Sequence, residues 1–123
     1  LLLVQGLNGK VSPPGGSSLP WESAQCTAFR ETLEETGLRL QPTELLRVLD
    51  TGFHLYRCER LVDSGDIDLP LQLEVREAFF LAPGRFEEFD WRYDGQGSLF
   101  ENLMSDLAFT ACEGEEGEVS ASC

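Results

Sequence analysis

The sequence predicts an α/β fold: a single α/β/α sandwich in which a mixed sheet carries one helix on each face. Three observations predict it. A helical stretch over residues 24–36 carries charge on one face and apolar residues on the other, and a second from Ser98 to about Phe109 repeats Leu99, Leu103 and Leu107 at fours. Between and before them lie short apolar or alternating runs of strand length, bounded by Gly, Pro, Asn and Asp. At 123 residues and 41% hydrophobic content, the chain supports one modest core and not two.

In order, Leu1 to Gln5 is an apolar run of strand length, and Asn8-Gly9 is the dipeptide of a two-residue hairpin turn leading back through Lys10 and Val11. Pro13-Pro14-Gly15-Gly16 cannot be regular structure, because the prolines lack donors and the glycines tolerate unusual backbone angles beside a ligand. A phosphate-binding P-loop is excluded, since no Gly-Lys-Ser/Thr follows. Trp21, after Leu19-Pro20, is expected to cap the core as a hydrophobic staple, with stacking on a nucleobase as the alternative.

The first helix should run from Ala24 to Thr36, capped by Ser23 and stopped by Gly37. Glu31, Glu34 and Glu35 stand at i, i+3 and i+4 and fall within an arc of roughly 100°, with Phe29, Leu33 and Cys26 nearly opposite. One face is built for core and the other for cations. Like charges at this spacing cost a few tenths of a kcal/mol per exposed pair, so something positive should compensate them.

A strand is expected from Glu44 to Leu49, then a turn at Asp50-Thr51-Gly52 and a strand from Phe53 to Glu59, forming an antiparallel pair. His54 is a lone histidine there and reads as structural. Leu61 to Pro70 is an acidic surface loop; it lacks the closing glutamate of a calcium-binding EF-hand loop. Glu74 to Leu81 reads as a core strand, Phe86 to Phe89 as a short helical turn, and Trp91-Arg92-Tyr93 leads to a Gly-rich turn at Gly95 and Gly97 before a helix capped by Ser98. Residues 1–110 make the domain; 111–123 are an acidic, flexible tail.

The net charge of -13, with one lysine against eight arginines, excludes binding a nucleic-acid duplex through its backbone. A polyanionic substrate would need metal ions to bring it in. No apolar run approaches the ~18 residues that span a bilayer, so no membrane partner is expected. The four cysteines, Cys26, Cys58, Cys112 and Cys123, have no zinc-site spacing, and buried free thiols are expected over disulfides. A cytoplasmic location is expected, with an exported form left open by the four cysteines. The start at Leu1 reads as a processed product or as a piece of a longer chain.

Gly16, five residues, Glu22, seven residues, then Arg30-Glu31-Thr32-Leu33-Glu34-Glu35-Thr36-Gly37-Leu38 resembles the signature of the Nudix hydrolases. Only Thr32 departs, standing where the family has an aliphatic residue. A strand that usually precedes the first hairpin is missing. The resemblance implies Mg²⁺, with Mn²⁺ able to replace it, and attack of water on phosphorus in a small-molecule nucleoside diphosphate derivative. It assigns Glu31, Glu34 and Glu35 as metal ligands together with the Gly15 carbonyl, with Glu34 also acting on the water, Arg30 holding a carboxylate in place and Glu22 steadying the loop. A carboxylate beyond the helix is expected to complete the site: Glu77, with Glu87 and Glu88 as rivals. Trp21, Phe53 and Tyr56 are the candidate contacts to the base. Tyr56 falls near where dinucleoside polyphosphate hydrolases of this family have a tyrosine. The alternative reading is a Nudix-fold binding or regulatory module without turnover. A monomer or homodimer is expected.

Overall fold

The structure, a computed structural model, describes residues 1–69 and 75–106. It is a small mixed α/β protein, with two helices and two antiparallel sheets among the described residues. The strands are β1 (Leu2–Gly6), β2 (Val11–Ser12), β3 (Leu40–Val48), β4 (His54–Arg60) and β5 (Val75–Phe80), and the helices are α1 (Ala24–Thr36) and α2 (Gln96–Asp106), with a short 3₁₀ turn at Phe86–Glu88. The acidic tail, Cys112, Cys123, the expected strand start at Glu74 and the expected last turn to Phe109 lie outside the described residues.

Both hairpins close through three-residue loops. Gly6 N–H donates to Lys10 O at 2.9 Å and Gly9 N–H to Gly6 O at 3.0 Å; Leu49 N–H donates to Phe53 O and Gly52 N–H to Leu49 O, each at 2.8 Å. A three-residue loop needs its last residue left-handed, and Gly9 (φ 82°) and Gly52 (φ 87°) supply it. The two-residue turn expected at Asn8-Gly9 is thereby corrected: Leu7 joins it.

The expected single mixed sheet is, among the described residues, two sheets, ordered β2-β1-β5 and β3-β4. Among the described residues the one parallel pairing is an isolated bridge from Val11 of β2 to Trp91, which lies outside both sheets; Val11 N–H donates to Asp90 O and Arg92 N–H to Val11 O. A cleft of about 890 Å³ lies between the sheets, lined by Leu2, Phe80 and Leu81 on one side and Leu55, Tyr56 and Cys58 on the other. Strand β3 begins at Leu40, four residues before the expected Glu44. Pro42 is tolerated because it sits on an edge strand beside a register shift between Pro42 and Glu44. Its carbonyl accepts from Gln25 Nε2 at 2.6 Å, which ties the strand to α1.

Helix α1 is capped as its ends suggest: Ser23 Oγ accepts from Cys26 N–H, and Gly37 N–H donates to Leu33 O with φ 78°. Its packing face differs from expectation. Thr27, Thr32 and Thr36 are buried, while Cys26, Phe29 and Leu33 are only half-buried. Threonine can face the core here because its hydroxyl is satisfied locally: Thr36 Oγ1 donates to Thr32 O at 2.7 Å and Thr27 Oγ1 reaches Ser23 O at 2.9 Å. Phe29 is covered from outside by the Arg39 guanidinium, 5.9 Å from the ring centre.

Helix α2 starts at Gln96, so Ser98 is not its cap; the Ser98 hydroxyl instead donates to Glu87 Oε1 at 2.6 Å. Its first turn rests on Trp91, whose indole Nε1–H donates to Phe86 O at 2.6 Å. A Cβ on Gly97 would meet that indole nitrogen at 2.8 Å, which is why a glycine stands there. Trp91, Phe86 and Phe100 stack at 5.4 to 5.9 Å and, with Leu3, Val11, Leu49, Leu55 and Leu81, make the core. Cys26 and Cys58 are free thiols, and burial pushes the Cys58 thiol up to about 12, which leaves it unreactive.

Candidate functional site

Arg30 is the centre of the charged face of α1. Its Nε and Nη2 grip Glu22 at 2.8 and 2.9 Å in a two-pronged pair, Nη1 donates to Glu31 at 2.9 Å and more loosely to Glu34 at 3.3 Å, and Nη2 also reaches Ser17 O at 3.1 Å. One planar guanidinium thus joins the loop before the helix to two carboxylates on it, a geometry lysine could not supply. Glu22 is held at about 2, well below its usual value, first by Arg30 and then by the Leu19 N–H. Arg30 is held protonated far above any working pH, chiefly by Glu22.

The Gly-rich loop lies directly on the helix. Gly15 N–H donates to Glu35 Oε2 at 2.9 Å. A Cβ on Gly16 would sit 2.5 Å from the Glu31 carboxyl carbon, and one on Gly15 would sit 2.5 Å from the Phe53 ring. Neither position has room for a side chain while those neighbours stay where they are. Glu35 is raised to about 7, first by burial, against the pull of the Gly15 N–H; the charges of Glu31 and Glu34 add to the rise and Arg92 opposes it. Glu31 and Glu34 pair with Arg30, whereas Glu35 accepts from the Gly15 N–H.

The donor set suits a hard divalent cation, being carboxylate oxygens beside a backbone turn that admits close approach. Among the described residues no three carboxylate, histidine or cysteine groups converge on one point: Glu31 and Glu34 turn to Arg30, and Glu35 turns to Gly15.

The remaining expected residues are dispersed. Trp21 is fully exposed, with a left-handed backbone at φ 65°, so it caps no core; Leu19 beside it is exposed too. The Leu19 N–H is fixed by Glu22 Oε1 at 3.0 Å, and this holds the loop open with its apolar side chains in solvent. Phe53 packs on the core and lines both the cleft between the sheets and a second cavity of about 530 Å³ over the Gly-rich loop. Tyr56 lines the cleft only. Glu77 is exposed on β5, across from Gln5, and lines neither cavity. Glu87 receives Ser98, and Glu88 pairs with Arg85 at 3.3 Å.

The second cavity is walled by residues that sequence reasoning left unassigned: Ser18, Thr51, His54, Arg92, Tyr93 and Gln96. His54 Nδ1 lies 2.9 Å from Gly52 O, an atom that only accepts, so the neutral ring carries its proton on Nδ1 and leaves Nε2 open. The Arg92 guanidinium stands 5.5 Å over the Tyr93 ring. The one signal in the sequence was the triplet Trp91-Arg92-Tyr93, a rare cation between aromatics in an acidic chain. Comparison with protein-family models and with curated proteins finds no match for this chain. Among the described residues no helix is long and apolar enough to cross a membrane.

Proposed function

We propose that this protein is a Nudix-type diphosphatase that hydrolyses a nucleoside diphosphate linked to another group, with an α/β/α arrangement around its signature helix. The observation that carries the reading is the layout of α1 against its loop: Glu31, Glu34 and Glu35 on one face, Gly15 and Gly16 within contact of two of them, and Arg30 clamped by Glu22. Glu31, Glu34, Glu35 and the Gly15 carbonyl would hold Mg²⁺ or Mn²⁺. When bound, the cation covers phosphate oxygens and acidifies the attacking water.

The chain's own residues do the rest. Arg30 keeps Glu31 and Glu34 oriented and prevents their mutual repulsion from splaying the face. Glu34, the more exposed of that pair, would take the proton of the attacking water. The glycines keep side chains out of the space where a diphosphate must approach. A panel of nucleoside diphosphate derivatives with Mg²⁺ or Mn²⁺, with products identified, tests the reading: cleavage of a diphosphate bond supports it, and no cleavage anywhere in the panel rejects it.

A second reading, a binding module without turnover, has one observation in its favour, since the described acidic groups turn to Arg30 and Gly15 and do not converge. Ligand binding in the same panel without hydrolysis is its signature.

A further inference from the structure

We propose that the cleft between the two sheets is a binding site for a long-chain fatty acid, with the acyl chain lying along β4 and the carboxylate at Arg60. The cleft has a volume of about 890 Å³, within the range of sites that enclose a small ligand, and none of Glu31, Glu34 and Glu35 lines it. It is long. Strand β4 lines it from His54 to Arg60, a run of seven residues that spans about 20 Å. Aliphatic side chains meet across it, Leu2 and Leu81 on one side against Leu40, Leu46 and Leu55 on the other. A slot of this length with such walls matches an unbranched chain, whereas a base or a sugar would fill a fraction of it and leave polar atoms against carbon, which costs free energy.

Charge fixes the orientation of the chain. Arg60 ends β4, and its guanidinium reaches across to the other sheet, where it stands 5.7 Å from the centre of the Phe80 ring. It is half-buried and pairs with no carboxylate among the described residues, in a chain of net charge -13 where Arg30, Arg39, Arg57 and Arg85 each have one. Arg57, the other arginine on the wall, has Glu44 at 4.0 Å. Phe80 offers Arg60 the face of a ring and no negative charge, and 54% of it stays exposed. A guanidinium in this setting binds a carboxylate by charge-assisted hydrogen bonds. Its place at the end of an apolar slot selects a carboxylate that carries a long tail, and the same charge repels a cationic amphiphile.

The test is calorimetric titration of the metal-free chain, below micelle-forming concentrations, with decanoate, octanoate, decanol and decyltrimethylammonium, while circular dichroism follows the fold. Decanoate should bind more tightly than octanoate, by about fourfold for each added methylene, and more tightly than decanol or decyltrimethylammonium. Arg60→Met should weaken decanoate about tenfold and leave decanol unchanged. Leu46→Asp should weaken both, because it sets a charge in the apolar wall; Leu46 lies outside the buried core cluster, beside a register shift in β3, so the variant should keep its circular dichroism spectrum. Affinity independent of chain length, equal binding of decyltrimethylammonium, an undiminished preference for decanoate over decanol in Arg60→Met, or unfolding at the concentrations that bind would each overturn the proposal. No metal and no turnover enters, so a chain that cleaves diphosphates and ignores decanoate loses only this site, and one that binds decanoate in this pattern yet cleaves nothing rejects only the enzymatic reading.

Discussion

Two surfaces meet at the Gly-rich loop, and they are built on opposite terms. The charged face of α1 is over-supplied with partners: Arg30 alone contacts Glu22, Glu31, Glu34 and Ser17. The wall from Arg92 to Gln96 is under-supplied, with an exposed cation and a buried amide oxygen that has no donor among the described residues. The first is held in shape by charge. The second is held in shape from behind, by Trp91 in the core. Pre-set charge and unmet hydrogen bonding are different ways to store specificity.

The comparison can be broken by removing what each surface depends on. The largest effect is expected from Glu35→Gln: metal-dependent turnover should fall at least about 100-fold, more than the loss of an outer partner of a metal site, with an unchanged far-ultraviolet circular dichroism spectrum. Retained activity would detach Glu35 from the chemistry. On the other surface, Trp91→Phe leaves the Phe86 carbonyl without its buried donor and should cost about 2 kcal/mol, read by denaturant unfolding. No loss would show that the bond from Trp91 to the Phe86 carbonyl does not hold the wall.

Smaller effects sharpen the contrast. Gly16→Ala must displace the Glu31 carboxylate, the flexible end of a side chain, so turnover should fall about tenfold while the melting temperature hardly moves. The least is a pH slope. Glu35 is raised from the usual 4.5 to about 7 in the fold, so the folded chain holds a proton there that the unfolded chain has released. Its contribution to stability is complete below about 4.5 and is lost as pH rises through about 7. Metal-free melting temperatures should decline across that window, and Glu35→Gln should flatten the decline. Added Mg²⁺ should raise the upper end in the unaltered chain and not in the variant.

The charged surface was legible in the sequence because its chemistry is local: Glu22 to Gly37 is one continuous stretch, helix spacing fixes which carboxylates share a face, and Ser23 and Gly37 mark the ends. The core face of the same helix was misjudged because hydropathy does not register that Thr27 and Thr36 satisfy their hydroxyls on nearby helix carbonyls. The start of β3 was missed because Pro42 argues against a strand unless the register shift beside it is known. The wall was invisible for a different reason. Whether Gln96 has a partner depends on a cavity formed by four separated segments, and no spacing along the chain encodes that.

The two tryptophans, one in each region, occupy opposite environments. Trp21 stands wholly in water beside Glu22, and Trp91 is sealed among Phe86, Phe100 and a backbone carbonyl. The native emission spectrum is therefore a sum of a red-shifted, quencher-accessible component and a blue-shifted, shielded one. Acrylamide should silence the first and leave the second. Replacing Trp21 with phenylalanine would give a chain whose fluorescence reports the core alone, and any change on adding ligand would then have travelled through the wall.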